Sequence, residues 1–126
     1  MKETDLHCAT VHYEEPVMHM KFKENVEIEK EHVLELIAQA ELLSNKKPYF
    51  LFSDARGFIE ISAEAKKTAA DKHLASLVKA NAVVVDTLAM KLVGNAFLNV
   101  NKPHFPTRIF TCPDKAMEWL KNLADK

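Results

Sequence analysis

Apolar and polar positions alternate along residues 5–23, as they do in the paired strands of a β-hairpin. Pairing 13 with 18, 12 with 19 and 11 with 20 gathers Val11, Tyr13, Met18 and Met20 on one face, which Ala9 and Phe22 extend. His12, His19, Lys21 and Thr10 take the other face, so a single register satisfies both strands. The connection is Glu14–Val17, where Pro16 has no N–H to give to a ladder.

Beyond the hairpin the period changes. Val33, Leu36, Ile37, Ala40 and Leu43 recur at helical spacing and predict a helix over about 30–44. It stops near Ser44 and Asn45, because Asn accepts the left-handed cap and Pro48 forbids continuation. YFLF (49–52) is a short continuous apolar run, the mark of a strand buried on both faces. Residues 63–79 predict a helix capped by Ser62, with Glu64 in the favourable first turn and Asp71 restarting it after a kink. NAVVVD (81–86) predicts a second buried strand, and Thr87 caps a helix over 88–100. A loop (101–106), a short strand (108–110) and a helix (113–124) with Pro113 near its first position complete the chain. Strands alternating with helices behind a leading hairpin imply a mostly parallel sheet with right-handed crossovers.

The segment LAMKLVGNAFLNV (88–100) has nine apolar residues in thirteen, more than a surface helix needs. At about 100° per residue, Leu92, Ala96, Ala89, Val100, Val93, Phe97 and Met90 share one arc, which predicts a core face. Thr87, Lys91, Gly94, Asn95 and Asn99 fall opposite. Leu98 is left among the polar positions, with Phe105 or a second chain expected to cover it.

Composition narrows the possibilities. The 126 residues fit one domain with a single core, and a net charge of −1 gives no global attraction to nucleic acid or anionic lipid. No apolar run suits a membrane span, and the N-terminal stretch is too acidic and broken for a signal peptide. Cys8 and Cys112 lack metal or redox spacing, so the expectation is a cytoplasmic protein with reduced thiols. Only Gly57 and Gly94 occur, too few for phosphate-cradling loops, dinucleotide fingerprints or nucleophile elbows.

The stretch YFLFSDARGFIEISAEAKK (49–67) resembles the STAS domain of SpoIIAA-type anti-sigma factor antagonists: a strand, an Asp at its end, a Gly-aliphatic step, then a Ser-bearing turn opening a helix. More of the chain is similar to small uncharacterised bacterial STAS-like proteins, through KENVEI, DARG, LVKANAVVVDT, LVGNAFLNVNKPHFPTRIF and AMEWL. The resemblance implies an α/β, SpoIIAA-like fold: a mixed, mostly parallel sheet with an N-terminal hairpin and about four helices. In the antagonists a Ser directly after an Asp, in a turn rich in Ser and Gly, is phosphorylated. Here Glu60-Ile61-Ser62-Ala63 lacks that Asp and puts Ala63 at the acceptor position, which makes adjacent Ser62 the candidate phosphorylation site. An N-cap role by itself explains Ser62 fully.

Asp54 and Arg56 sit just past a buried strand, where open α/β sheets bind ligands, although an Asp-x-Arg pair also satisfies its own turn. A phosphoacceptor receiver is excluded by order, because Glu14-Glu15 lies in the hairpin turn and Lys102-Pro103 precedes the last strand. His12 and His19 are cross-strand neighbours without a third ligand in reach, since Cys8 lies ~13 Å along the strand, so no metal is expected. Trp119 is expected to anchor the last helix on the sheet. No nucleophile–base set points to catalysis and no cofactor is implied.

These features point to a STAS-like binding or regulatory domain working through protein contact, including self-association. The alternative is an apolar ligand or lipid in a pocket beneath helix 88–100, which lipid-binding domains of the CRAL-TRIO type suggest by analogy. An enzyme using Asp54 and Arg56 ranks below both. The candidate ligand or partner residues are Asp54, Arg56, Ser62, Leu98 and Phe105.

Overall fold

The alternation at the N-terminus folds as it reads. In the computed structural model, which describes residues 3–57, 59–100 and 102–125, β2 (Ala9–Glu14) and β3 (Val17–Phe22) pair antiparallel. The partners are Val11 with Met20, His12 with His19 and Tyr13 with Met18, the expected register. A short β1 (Thr4–Asp5) pairs with β2 on its outer side. The chain then runs through β4 (Val26–Ile28), α1 (Lys30–Leu43), β5 (Tyr49–Asp54), β6 (Ile59–Ile61), α2 (Ala63–Ala69), β7 (Val78–Val84), α3 (Leu88–Val100), β8 (Thr107–Phe110) and α4 (Pro113–Ala124). The main sheet has the order β1-β2-β3-β5-β7-β8, parallel from β3 onward. The expected caps are present: Asn45 is left-handed, the Ser62 and Thr87 hydroxyls accept from Ala65 and Met90 N–H, and Pro113 opens α4.

Small residues decide how the sheet is covered. The register shifts between Tyr49 and Phe50, so that Val78 opposes Tyr49 while Ala80 opposes Phe50. Val78 therefore joins a core beneath α1 and α2 with Val11, Met18, Val33 and Leu36. Ala80, Ala82 and Val84 pack on the other face with Phe110, Ala116 and Leu120 of α4. Trp119 is half-buried there, its ring 5.8 Å from that of Phe110. No helix among the described residues is long and apolar enough to cross a membrane.

Three expectations are corrected. The Ala- and Lys-rich helix expected over 63–79 stops at Ala69, and β7 starts at Val78 rather than at residue 81. Helix propensity loses here to a local alternative: the Asp71 carboxylate accepts from the N–H groups of His73 and Leu74 and holds a turn instead of a second helix. A second, two-stranded sheet of β4 and β6 was not expected, because each strand has only three residues.

The largest correction is the orientation of α3. Its expected core face is mostly solvent-facing, with Leu92 61 %, Val93 72 % and Val100 81 % exposed, and Leu88 beside them at 66 %. Met90, Gly94, Phe97 and Leu98 turn inward instead, roughly a third of a turn away. Gly94 is the reason. A Cβ at this position would overlap Cδ1 of Ile109 on β8, so the bare backbone is what lets the helix lie down on that strand.

Two measurements check this packing. Ala96→Gln should change the unfolding free energy by less than about 0.5 kcal/mol, whereas Leu98→Ala should lower it by about 1–2 kcal/mol. The opposite ranking would turn the Ala96 face inward. The buried Tyr49 phenol is pushed up to about 12 by burial and by the nearby Glu41 carboxylate. The neutral phenol suits the folded state, so its stabilisation is complete below the unfolded pKa of about 10 and lost as pH climbs toward the folded value. Urea unfolding along this alkaline range should lose about 2–3 kcal/mol more in the parent than in Tyr49→Phe.

Candidate functional site

With Gly94 against β8, space remains between α3, α2 and the sheet. It forms a cavity of about 320 Å³. Val83 and Ile109 supply its floor, Phe97 and Leu98 its roof, and Phe105 and Ile61 close its sides. Leu98 and Phe105, singled out separately in the sequence, thus meet at one place. Leu98 is no isolated surface residue; it is half-buried and faces the cavity.

The polar groups of the wall are largely engaged. The Ser53 hydroxyl donates to the Asn81 amide oxygen at 2.8 Å, and the Thr107 hydroxyl donates to the Phe105 carbonyl at 3.3 Å. The Lys66 ammonium lies 4.7 Å from the Phe97 ring centroid, a cation–π distance. Lys66 also lines an adjoining depression of about 370 Å³ with Lys67 and Lys102, so that side of the approach carries positive charge. A smaller space of about 110 Å³ continues beneath α1, sharing Ile61, Asn81 and Phe105 with the larger one.

Asp54 and Arg56 stand apart from this cavity. Asp54 ends β5 and is buried; Arg56 Nε donates to its Oδ1 at 2.9 Å and Nη2 to its Oδ2 at 2.7 Å. The Arg56 backbone N–H adds a third bond at 3.2 Å. Hydrogen bonding from Arg56 holds the Asp54 carboxyl below the usual carboxylate range, against the opposing effect of burial. The next turn is tied in the same way, with the Gly57 N–H donating to Asp86 Oδ2 at 2.6 Å. Both oxygens of Asp54 are committed to a bidentate pair that braces its turn.

Ser62 is also committed. Its hydroxyl accepts from the Ala65 N–H at 3.0 Å, and the depression beside it is lined by Glu27, Glu29 and Glu60 together with Lys66. A phosphate added at Ser62 would meet three carboxylates. Cys8 is buried, Cys112 is exposed, and both are free thiols; burial pushes the Cys8 thiol up.

The histidine pair holds something the sequence reading missed. His12 and His19 stack with centroids 4.3 Å apart, and the third donor sought at Cys8 is instead Glu14, two residues along the strand from His12. Period-2 alternation puts Glu14 on the face of His12, a signal present in the sequence but hidden by treating Glu14 as part of the turn.

Asp54→Asn keeps the volume and removes the ion pair, and should lower the unfolding free energy at neutral pH by about 1–3 kcal/mol. Because the folded-state pKa is depressed, that stabilisation is present above the unfolded value of about 3.9 and fades as pH falls through the folded one. Parent and variant should therefore converge in acid-range urea titrations.

The family model described as a domain of unknown function, DUF7793, matches residues 11–124. No curated protein matches the chain. Among solved structures, the chain is similar to an uncharacterized protein of the DUF3478 family with a SpoIIAA-like fold from Shewanella loihica PV-4. The TM-score is 0.57 at 13% identity, over 95% of this chain and 99% of that one, a likeness of fold alone. The mixed sheet, its four helices and their order agree with that architecture. By sequence the chain belongs to the DUF7793 family, and by structure it has a SpoIIAA-like fold.

Proposed function

We propose that this protein is a binding domain, not an enzyme, and that it holds a small amphipathic molecule with its apolar body in the cavity beneath α3. The observation that carries this is the cavity itself: about 320 Å³ walled by Ile61, Val83, Phe97, Leu98, Phe105 and Ile109. Its lining is almost wholly apolar, the kind of surface that the apolar body of a small ligand covers. Lys66, Lys67 and Lys102 beside it favour an anionic end over a neutral one. The catalytic alternative is the weaker reading because both Asp54 carboxylate oxygens already accept from the Arg56 guanidinium.

A second reading rests on the outer face of α3. Leu88, Leu92, Val93 and Val100 form an exposed stripe without a charged residue among them. A partner that recognises charge has nothing to pair with on it, whereas a second copy related by a two-fold axis would lay the same stripe against itself.

Calorimetry with dodecanoate and with dodecanol tests the first reading. Dodecanoate should bind one per chain, Leu98→Trp should abolish binding by filling the cavity, and Lys66→Glu should weaken the acid roughly tenfold while sparing the alcohol. Absence of binding by either probe, with no ligand retained in native mass spectra of freshly purified protein, would overturn it. Sedimentation decides the second: a dimer that Leu92→Glu converts to monomer supports it, and a monomer at every concentration sinks it.

A further inference from the structure

The face of the sheet that carries α4 holds a cluster unrelated to the cavity. α4 packs over β5, β7 and β8, and the neighbouring strip of β2 and β3 on that face presents His12, Glu14 and His19. We infer that these three residues bind one divalent transition-metal ion of the Zn²⁺ or Ni²⁺ kind. Donor atoms from the three side chains all lie within 4.8 Å of one another. His12 Nε2 is 3.6 Å from Glu14 Oε1, and the two imidazoles lie parallel within 9°.

The backbone already places the donors. His12 and His19 are directly opposed on two hydrogen-bonded strands, and Glu14 follows His12 at the same-face spacing of two. Bonds of about 2.0–2.2 Å to a common ion put tetrahedral ligands roughly 3.3–3.5 Å apart, so χ rotations of the side chains close the site without moving a strand. The ring of Phe52, tilted 5.5 Å from that of His19, backs one donor. A second carboxylate, Glu3, has Oε2 3.9 Å from His12 Nδ1 and adds negative charge. Two imidazole nitrogens and a carboxylate oxygen select a borderline cation; Mg²⁺ and Ca²⁺ prefer all-oxygen shells. Three protein donors also leave a coordination position for water or an exogenous group.

The chain contains its own contrast. His7 and His32 also stack, at 4.8 Å and 28°, but His32 Nδ1 already accepts from the Glu29 N–H. That pair is not part of a three-donor cluster among the described residues. Calorimetry of the full chain with ZnCl₂ and NiCl₂ in a non-chelating buffer tests the site, with MgCl₂ as the comparison. One ion per chain is expected, with affinity lower by roughly tenfold or more in His12→Gln, His19→Gln and Glu14→Gln and unchanged in His7→Gln. Binding that survives in the His12→Gln/His19→Gln double variant, or an equal response to MgCl₂, would overturn it, as would no binding of either transition metal. Histidine side-chain NMR of the unaltered chain gives a measurement free of any folding defect. Zn²⁺ should move the imidazole signals of His12 and His19, and movement spread over all six histidines would refute the assignment.

Discussion

The close contact between Gly94 of α3 and Ile109 of β8 governs how α3 lies on the sheet. A helix rich in apolar residues all round could settle on a sheet by any of several faces. Here the face without a side chain at its centre wins, because the helix axis can come nearest there. That choice turns Phe97 and Leu98 over Val83 and Phe105 and creates the cavity. It also sends Leu88, Leu92, Val93 and Val100 outward. Cavity and exposed stripe are consequences of one contact, so the two surfaces proposed for binding belong to the same helix.

The charged features follow a different rule, that of local closure. Asp54 and Arg56, the residues most suggestive of chemistry in the sequence, satisfy each other and their own turn. Ser62 closes onto Ala65, and Asp71 onto His73 and Leu74. Polar groups at strand ends and helix starts must find partners wherever water is excluded, and the nearest ones are two or three residues away. The apolar space under α3, the lysines at its edge and the histidine pair are not closed in this way.

Short-range readings survived folding well. The hairpin register, the bounds of α3 and α4, and the caps at Asn45, Ser62, Thr87 and Pro113 all follow from neighbours within a few positions. The paired three-residue strands β4 and β6 were not legible, because each is too short for a period to be seen and their stability comes from pairing across the chain. The end of α2 was not legible either, since Ala and Lys favour helix on both sides of Asp71, whose carboxylate instead closes a turn with the N–H groups of His73 and Leu74. Half of the cavity was visible as Leu98 and Phe105, read as a leucine in need of a cover; its other walls come from β6, β7 and β8.

Taken alone, the chain's alternation, helical periods and capping residues determined the order of the longer elements, the mixed sheet and the resemblance to SpoIIAA-like proteins. These depend on interactions between residues close in sequence, where the backbone itself sets the geometry. Only the tertiary structure decided which side of α3 faces inward, and with it the existence of a cavity. Counting apolar residues around a helix measures how much surface wants cover, not which surface receives it. At Gly94 the deciding contact is made by a residue that carries no side chain for such a count to register.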